Sequence, residues 1–279
     1  IKSFFLLKKK KIEKIFSTGG YMSLPLILSA KFLKIKIYLI EPNRVLGRAN
    51  KFFLDSCEKI FCYSDDIKNF PNSFKYKIVV ISPLVKENIY KMKLNEKKKK
   101  DKFTLLVVGG SQGAEIFDKN LKNFILSISQ KNPLKIIQQT NKNNIPDLKD
   151  FYTKNKIENK IFYFERDFSS MMLEADLCIT RAGASTLAEL AVLNIPFITV
   201  PLPSSKDDHQ LENANYYKTN NCCWIIQQNL FDEKIEDLLD KILGKKSDYL
   251  IIKENLKKLN YQNSWINVNQ KILGAIDEN

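Results

Sequence analysis

Histidine occurs once, at His209, and that excludes any metal site or relay built on paired imidazoles. The five cysteines (Cys57, Cys62, Cys178, Cys222 and Cys223) show neither CxxC spacing nor an even framework. They read as reduced thiols, with Cys178 inside a strand. No apolar run approaches the ~18 residues needed to span a bilayer. The opening stretch IKSFFLLKKKK lacks the apolar core and small-residue cleavage site of a signal peptide. The glycine-rich turn Gly109–Ala114 lacks the lysine of a P-loop and does not follow GxGxxG, which disfavours an ATPase or a nicotinamide enzyme.

What is present is a globular composition, 44% hydrophobic with 11% aromatic, in 279 residues, long enough for two cores of ordinary domain size. The net charge of +14 has two readings. One is attraction to an anionic membrane face or an acidic substrate; the other is a general drift toward lysine and asparagine. The Lys97–Lys100 run reads as a solvated linker, and without aromatic interleaving or a binding module no nucleic-acid role is expected.

Along the chain, residues 1–11 read as the tail of a helix and Ile12–Phe16 as a short strand. The turn Ser17–Tyr21 opens a helix Met22–Phe32, and Ile35–Ile40 is an apolar strand ended by Glu41-Pro42-Asn43. A helix over Leu46–Leu54 and strands at Lys59–Tyr63 and Tyr76–Ile81 follow. Pro83 and the polar segment 86–101 mark the expected domain boundary. The second half restarts with the strand Phe103–Val108. Strands at Leu134–Gln139, Ile161–Phe164, Leu177–Thr180, Pro196–Val200 and Cys223–Ile226 then alternate with helical patterns. Such alternation predicts an α/β protein with parallel sheet covered on both faces. Ser264–Ile276 closes the chain as an amphipathic helix.

The chemistry concentrates at strand ends, where ligands bind in open α/β sheets. In the βαβ stretch Asp176–Gln210, Arg181 follows a strand and either clamps a diphosphate or makes a surface salt bridge. Glu189 lies too far into its helix to cap it; it either accepts from a sugar diol or is an ordinary solvated residue. Ser111, in the turn after Val108, is placed to hold a diphosphate, unless that turn merely joins strand to helix. Asp207-Asp208-His209-Gln210 follows another strand, and without a second histidine its acids are a poor metal site. Tyr21 and Tyr63 read as packing residues.

The stretches STGGYMSLP, EPNRVLGRANK, LLVVGGSQGAEIFD, ITRAGASTLAELAVLNIPFITVPLP and KDDHQLENA occur in one order across residues 12–217. Together they resemble the MurG family of peptidoglycan glycosyltransferases. The resemblance implies two Rossmann-like domains of the GT-B type, the first incomplete. It divides the chain into residues 1–100 (acceptor and membrane side), 101–263 (donor-binding) and a C-terminal helix 264–279 packing back on the first domain. It implies inverting transfer of N-acetylglucosamine from UDP-N-acetylglucosamine to the muramoyl 4-hydroxyl of lipid I, giving lipid II. No cofactor or metal is implied.

By the same resemblance Ser111 meets the donor diphosphate, Arg181 is the family's arginine at that strand end, and Glu189 accepts the ribose hydroxyls. His209 and Gln210 contact the sugar, Asn43 lies near the N-acetylglucosamine or the acceptor, and the main chain at Phe164 and Glu165 meets the uracil. The expected partners are the donor, lipid I and an anionic membrane, with the protein peripheral on the cytoplasmic face of the inner membrane. Three departures accompany the match. Ile40 stands where the family has histidine, Val85 with Lys86 beside it stands where the family has an arginine, and a histidine-bearing glycine loop has no counterpart. The chain is expected to begin about 80 residues late on the family's scale, two-thirds of a typical domain. The catalytic base is expected in that preceding segment. The alternatives are a non-catalytic nucleotide-sugar binder, another lipid glycosyltransferase, or a UDP-N-acetylglucosamine 2-epimerase.

Overall fold

The structure, a computed structural model, describes residues 2–93, 101–110 and 115–277. The chain divides into two compact units. The first comprises Ile1–Leu84, Lys206–Asn213 and Gln262–Asn279, and the second Val85–Ser205 and Ala214–Tyr261.

The first unit is built on four parallel strands, β1 (Lys14–Ser17), β2 (Lys36–Glu41), β3 (Lys59–Cys62) and β4 (Ile78–Val80), hydrogen-bonded in chain order. Side chains alternate across β2. Ile37 and Leu39 join one core with Ile27, Leu54 and Ile60. On the other face Tyr38 packs with Phe61 and with Ala275 and Ile276 of the helix Trp265–Asp277. Tyr38 stacks on Phe16 at 5.2 Å between ring centroids. The expected strand Tyr76–Ile81 is shorter, because Asn72–Lys77 forms a 3-10 turn first. There the buried Lys77 turns inward, and its Nζ donates to the carbonyls of Leu54, Asp55 and Cys57 at 2.7, 3.1 and 2.6 Å. Those bonds satisfy a cation that could not otherwise be buried.

The second unit holds six parallel strands: β5 (Phe103–Val108), β6 (Leu134–Gln139), β7 (Glu158–Phe162), β8 (Leu177–Thr180), β9 (Phe197–Thr199) and β10 (Trp224–Ile225). Their spatial order is β10-β9-β8-β5-β6-β7. Leu106, Val108, Cys178 and Phe197 enter the core on one face, and Leu105, Val107, Leu177, Ile179 and Ile198 the core on the other. Burial on both faces is why these strands read as continuous apolar runs. β7 sits three residues earlier than expected. It is an edge strand whose polar Glu158 and Lys160 pair along β6 while Tyr163 and Phe164 run past its end.

Part of the segment read as a polar linker, residues 86–101, is the helix Glu87–Lys93. Ile89 and Tyr90 from that helix are buried in the second unit's core, an apolar pair that lysine-rich surroundings mask in the sequence. The Lys97–Lys100 run lies outside the described residues. The five cysteines are all buried and free of disulfides. Burial lifts the thiols of Cys57 and Cys222 to about 11 and those of Cys62 and Cys223 to about 12. At neutral pH such thiols stay protonated and unreactive.

Candidate active site

In the second unit, the chain runs from β5 outward through β6 to β7 on one side, then crosses back to place β8 on the other side of β5. That makes the β5/β8 border a topological switch point, the place outside the carboxyl ends of the strands where ligands bind in open α/β sheets. β5 ends in Gly109-Gly110 and β8 ends at Arg181, and the two ends meet, the Arg181 amide donating to the Val108 carbonyl at 3.4 Å. Gly110 has φ +80°, and an added Cβ would meet no atom of the described residues. That left-handed backbone conformation calls for glycine at this turn. Ser111 lies outside the described residues.

The Arg181 side chain is partly buried and fastened from three directions. Nη1 donates to the Val200 carbonyl at the end of β9 at 2.9 Å, and Nη2 donates to Gln228 Oε1 at 2.7 Å. The guanidinium lies 5.5 Å from the centre of the buried Phe117 ring. Partial removal from water shifts its pKa down, yet arginine stays charged throughout the physiological range. Among the described residues it forms no ion pair, so its partners are a carbonyl, an amide and an aromatic face, all neutral. Partly desolvated charges in folded proteins are ordinarily paired. A positive charge left uncompensated at a switch point is a place for an anion.

Glu189 sits in the helix Ala184–Val192 that follows. Burial raises its pKa, and the nearby positive charge of Lys86 partly offsets the rise. No described residue donates a hydrogen bond to its carboxylate, which leaves acceptor capacity for hydroxyl groups. Glu165 lies just past β7, at the sheet edge, with Lys160 Nζ at 3.7 Å from Oε2 and the Asp167 amide donating to Oε1 at 3.4 Å. Phe164 beside it is exposed.

Asn43 lies in the first unit, as do His209 and Gln210. Glu41 at the end of β2 is 2% exposed and acts as a hub. It accepts from the Asn43 amide and side chain at 3.2 and 3.1 Å, the Gly47 amide at 2.8 Å and Asn50 Nδ2 at 2.9 Å. Asn43 Oδ1 accepts from Asn213 Nδ2 at 3.1 Å, so both ends of this side chain are engaged by protein. Asn213 Oδ1 in turn accepts from the Arg44 amide at 2.9 Å. Arg48 pairs with Asp207, which together with Asp208 has positive φ, 54° and 55°. His209 Nδ1 lies 2.8 Å from the Lys206 carbonyl. A carbonyl only accepts, so Nδ1 carries a proton and Nε2 of the neutral ring is left as an acceptor. Glu41, Asn43, Arg48, Asp207 and His209 line a cleft of about 710 Å³ with Thr18, Gly19 and Tyr21.

Sequence reasoning missed Gln228, Phe117 and Glu41. Gln228 follows a two-residue strand in a run of ordinary polar residues, with nothing to single it out. Glu41 was visible only as part of a turn. Among the described residues no group of His, Cys, Asp or Glu forms a metal cluster.

The model of the glycosyltransferase family 28 C-terminal domain matches residues 104–264, and that of the family's N-terminal domain matches residues 1–62. Over its whole length the chain is 49% identical to a UDP-N-acetylglucosamine--N-acetylmuramyl-(pentapeptide) pyrophosphoryl-undecaprenol N-acetylglucosamine transferase of Pelagibacter ubique, and it covers 78% of that protein. A crystal structure of Acinetobacter baumannii MurG matches with a TM-score of 0.74 and 25% identity, over 99% of this chain and 78% of that one. A UDP-GlcNAc 2-epimerase from Neisseria meningitidis, bound to UDP-GlcNAc, matches with a TM-score of 0.69 over 99% of this chain and 79% of its own. At 13% identity that is a likeness of fold alone. The architecture is the GT-B-like α/β fold of MurG, with two parallel sheets. With one family's two domain models in order along it, and a full-length relative at 49% identity, the chain belongs to glycosyltransferase family 28, in its MurG branch.

Proposed function

We propose that this chain performs the reaction of the MurG branch, transferring N-acetylglucosamine from UDP-N-acetylglucosamine to the muramoyl 4-hydroxyl of lipid I and forming lipid II in peptidoglycan synthesis. The second unit takes the nucleotide part of the donor. Uracil lies against the main chain at Phe164 and Glu165, Glu189 accepts the ribose hydroxyls, and the diphosphate lies at Arg181 and the turn that includes Ser111. In the first unit, Asn43 lines the cleft as a tethered wall with His209, and His209 and Gln210 recognise sugar hydroxyls.

The observation that carries the donor site is the uncompensated, partly buried Arg181 guanidinium at the β5/β8 switch point. In the transfer the acceptor oxygen bonds to the anomeric carbon as the bond to the β-phosphate oxygen breaks. The electron pair leaves with UDP, and the acceptor proton passes to a base. Charge that grows on the leaving diphosphate is met by a fixed cation and by amides at the strand ends, which need no reorganisation. The reading includes no obligatory metal or cofactor.

Lipid I is membrane-bound, so the reading places the protein on the cytoplasmic face of the bacterial inner membrane, with anionic lipid as its surface partner. Supporting this, no described helix is long and apolar enough to cross a membrane. The helix Lys2–Lys9 and its neighbour Leu24–Phe32 expose Phe5 and Phe32 (64% and 80%) around an apolar hollow lined by Phe4, Leu24, Pro25 and Leu28. Lys8 and Lys9 end the first of these helices, and Lys10 and Lys11 follow it. Apolar anchors beside a basic cluster are the two-part signal of a surface-bound protein.

The test is incubation with radiolabelled UDP-N-acetylglucosamine and lipid I in detergent micelles. Label in the lipid fraction is the expected result. Label released as free N-acetylmannosamine, or no lipid product, would overturn the reading.

A further inference from the structure

Three features of the second unit meet at Arg181: the end of β9 through Val200, the turn after β10 through Gln228, and the π-helical segment Phe117–Leu121 through Phe117. Of these, only the Gln228 contact is made by a polar side chain that evolution could exchange for a charged one of the same shape. Glutamate at this position would make the same 2.7 Å contact and add a bidentate ion pair. In stability terms that exchange looks favourable, because it would pair a cation that burial has partly stripped of water. The chain instead carries a neutral amide.

We propose that Gln228 is a positioning residue for donor binding: its neutral Oε1 fixes the Arg181 guanidinium in place while leaving the whole positive charge for the donor's diphosphate. This rests on the reading of Arg181 as the diphosphate contact. The geometry divides the labour in a definite way. Phe117 supports the guanidinium with its ring 5.5 Å away, and Val200 and Gln228 fix its orientation by taking one N–H from each terminal nitrogen. Because the guanidinium is a rigid fork with five N–H groups, anchoring two of them orients the rest before any ligand arrives. Preorganisation of this kind lowers the cost of binding without adding a contact. A carboxylate at residue 228 would keep the orientation and cancel the charge.

The experiment is calorimetric titration of the full chain with UDP and, separately, with uridine, which lacks the diphosphate. The variants are Gln228→Glu, Gln228→Met and Arg181→Ala. Gln228→Glu is expected to melt at or above the parent temperature, to weaken UDP by at least about tenfold, and to leave uridine unchanged. Gln228→Met, uncharged and only a weak acceptor, is expected to weaken UDP about threefold, again with uridine unchanged; it carries the test if Gln228→Glu does not fold. Should Arg181→Ala weaken UDP while both Gln228 variants bind it like the parent, the positioning role is refuted and the diphosphate contact stands. Should Arg181→Ala bind UDP as tightly as the parent, the reading of Arg181 itself falls. Equal losses for UDP and uridine in the Gln228 variants would mean a merely structural residue.

Discussion

Replacing Asp118 by alanine removes the acceptor at the centre of a buried polar network. Asp118, Gln138, Thr140 and Tyr152 are exposed to 7%, 0%, 2% and 0%. The carboxylate accepts from Gln138 Nε2 at 3.0 Å, Thr140 Oγ1 at 2.6 Å and Asn144 Nδ2 at 2.9 Å. Gln138 Oε1 in turn accepts from the Tyr152 hydroxyl at 2.9 Å. Burial first, and the Asp118 charge second, push the Tyr152 hydroxyl well above the usual tyrosine range, so it remains a donor. Alanine would orphan two fully enclosed donors, on Gln138 and Thr140. Asn144 is partly exposed and can turn to water.

At about 1–3 kcal/mol for each buried donor left unpaired, and allowing for the relief of one buried charge, the expected loss is about 3–4 kcal/mol. That is a large share of a domain's ~5–15 kcal/mol. Asp118→Asn keeps one acceptor oxygen and should lose about half as much. The chain has two tryptophans, Trp224 in the second unit and Trp265 in the first, so a Trp265→Phe background isolates the relevant transition by fluorescence. Urea unfolding at unchanged m-value gives the difference directly. A loss below about 1 kcal/mol for Asp118→Ala would refute the reasoning, because it would mean that water already serves these donors. Asp118 also sits in the π-helical segment next to Phe117, on which Arg181 rests. Widened turns of this kind collect at functional sites.

Two other perturbations test the site and the surface. Glu189 has a folded pKa raised by burial. Its contribution to stability is therefore fully present below the unfolded carboxyl range and is lost as pH rises through the folded value. Glu189→Gln should accordingly gain on the parent in melting temperature as pH rises above the ordinary carboxylate range while binding UDP-N-acetylglucosamine roughly tenfold more weakly. A variant that binds the donor like the parent would remove the ribose assignment. For the membrane, Phe5→Ser with Phe32→Ser removes two exposed anchors, each worth about 1.5–3 kcal/mol when buried. Cosedimentation with phosphatidylglycerol vesicles should fall by at least about tenfold, and undiminished binding would exclude this face.

The sequence by itself determined the alternation of buried strand and helix, the parallel character of both sheets and the strand-end turns. Each follows from local patterning: unbroken apolar runs mean burial on both faces, and small residues mark where the chain reverses. It also carried the family motifs that led to Arg181 and Glu189. Where local patterning was weak, boundaries drifted, as at β7, whose edge position lets it begin with three polar residues, and at Lys77, whose burial rests on three distant carbonyls.

The tertiary structure alone decided which strand ends meet. β8 lies beside β5 although some seventy residues of chain separate them, and that adjacency puts Arg181 against the glycine turn. It assigned His209 and Gln210 to the first unit through Asn213, Arg48 and Lys68, all long-range polar contacts. It supplied Gln228 as the partner of Arg181 and Asp118 as the hub beneath Phe117. Hydrogen bonds between residues far apart in the chain leave no periodicity to read, because they depend on which side chains the packed cores bring within 3 Å of one another, and only the folded chain settles that.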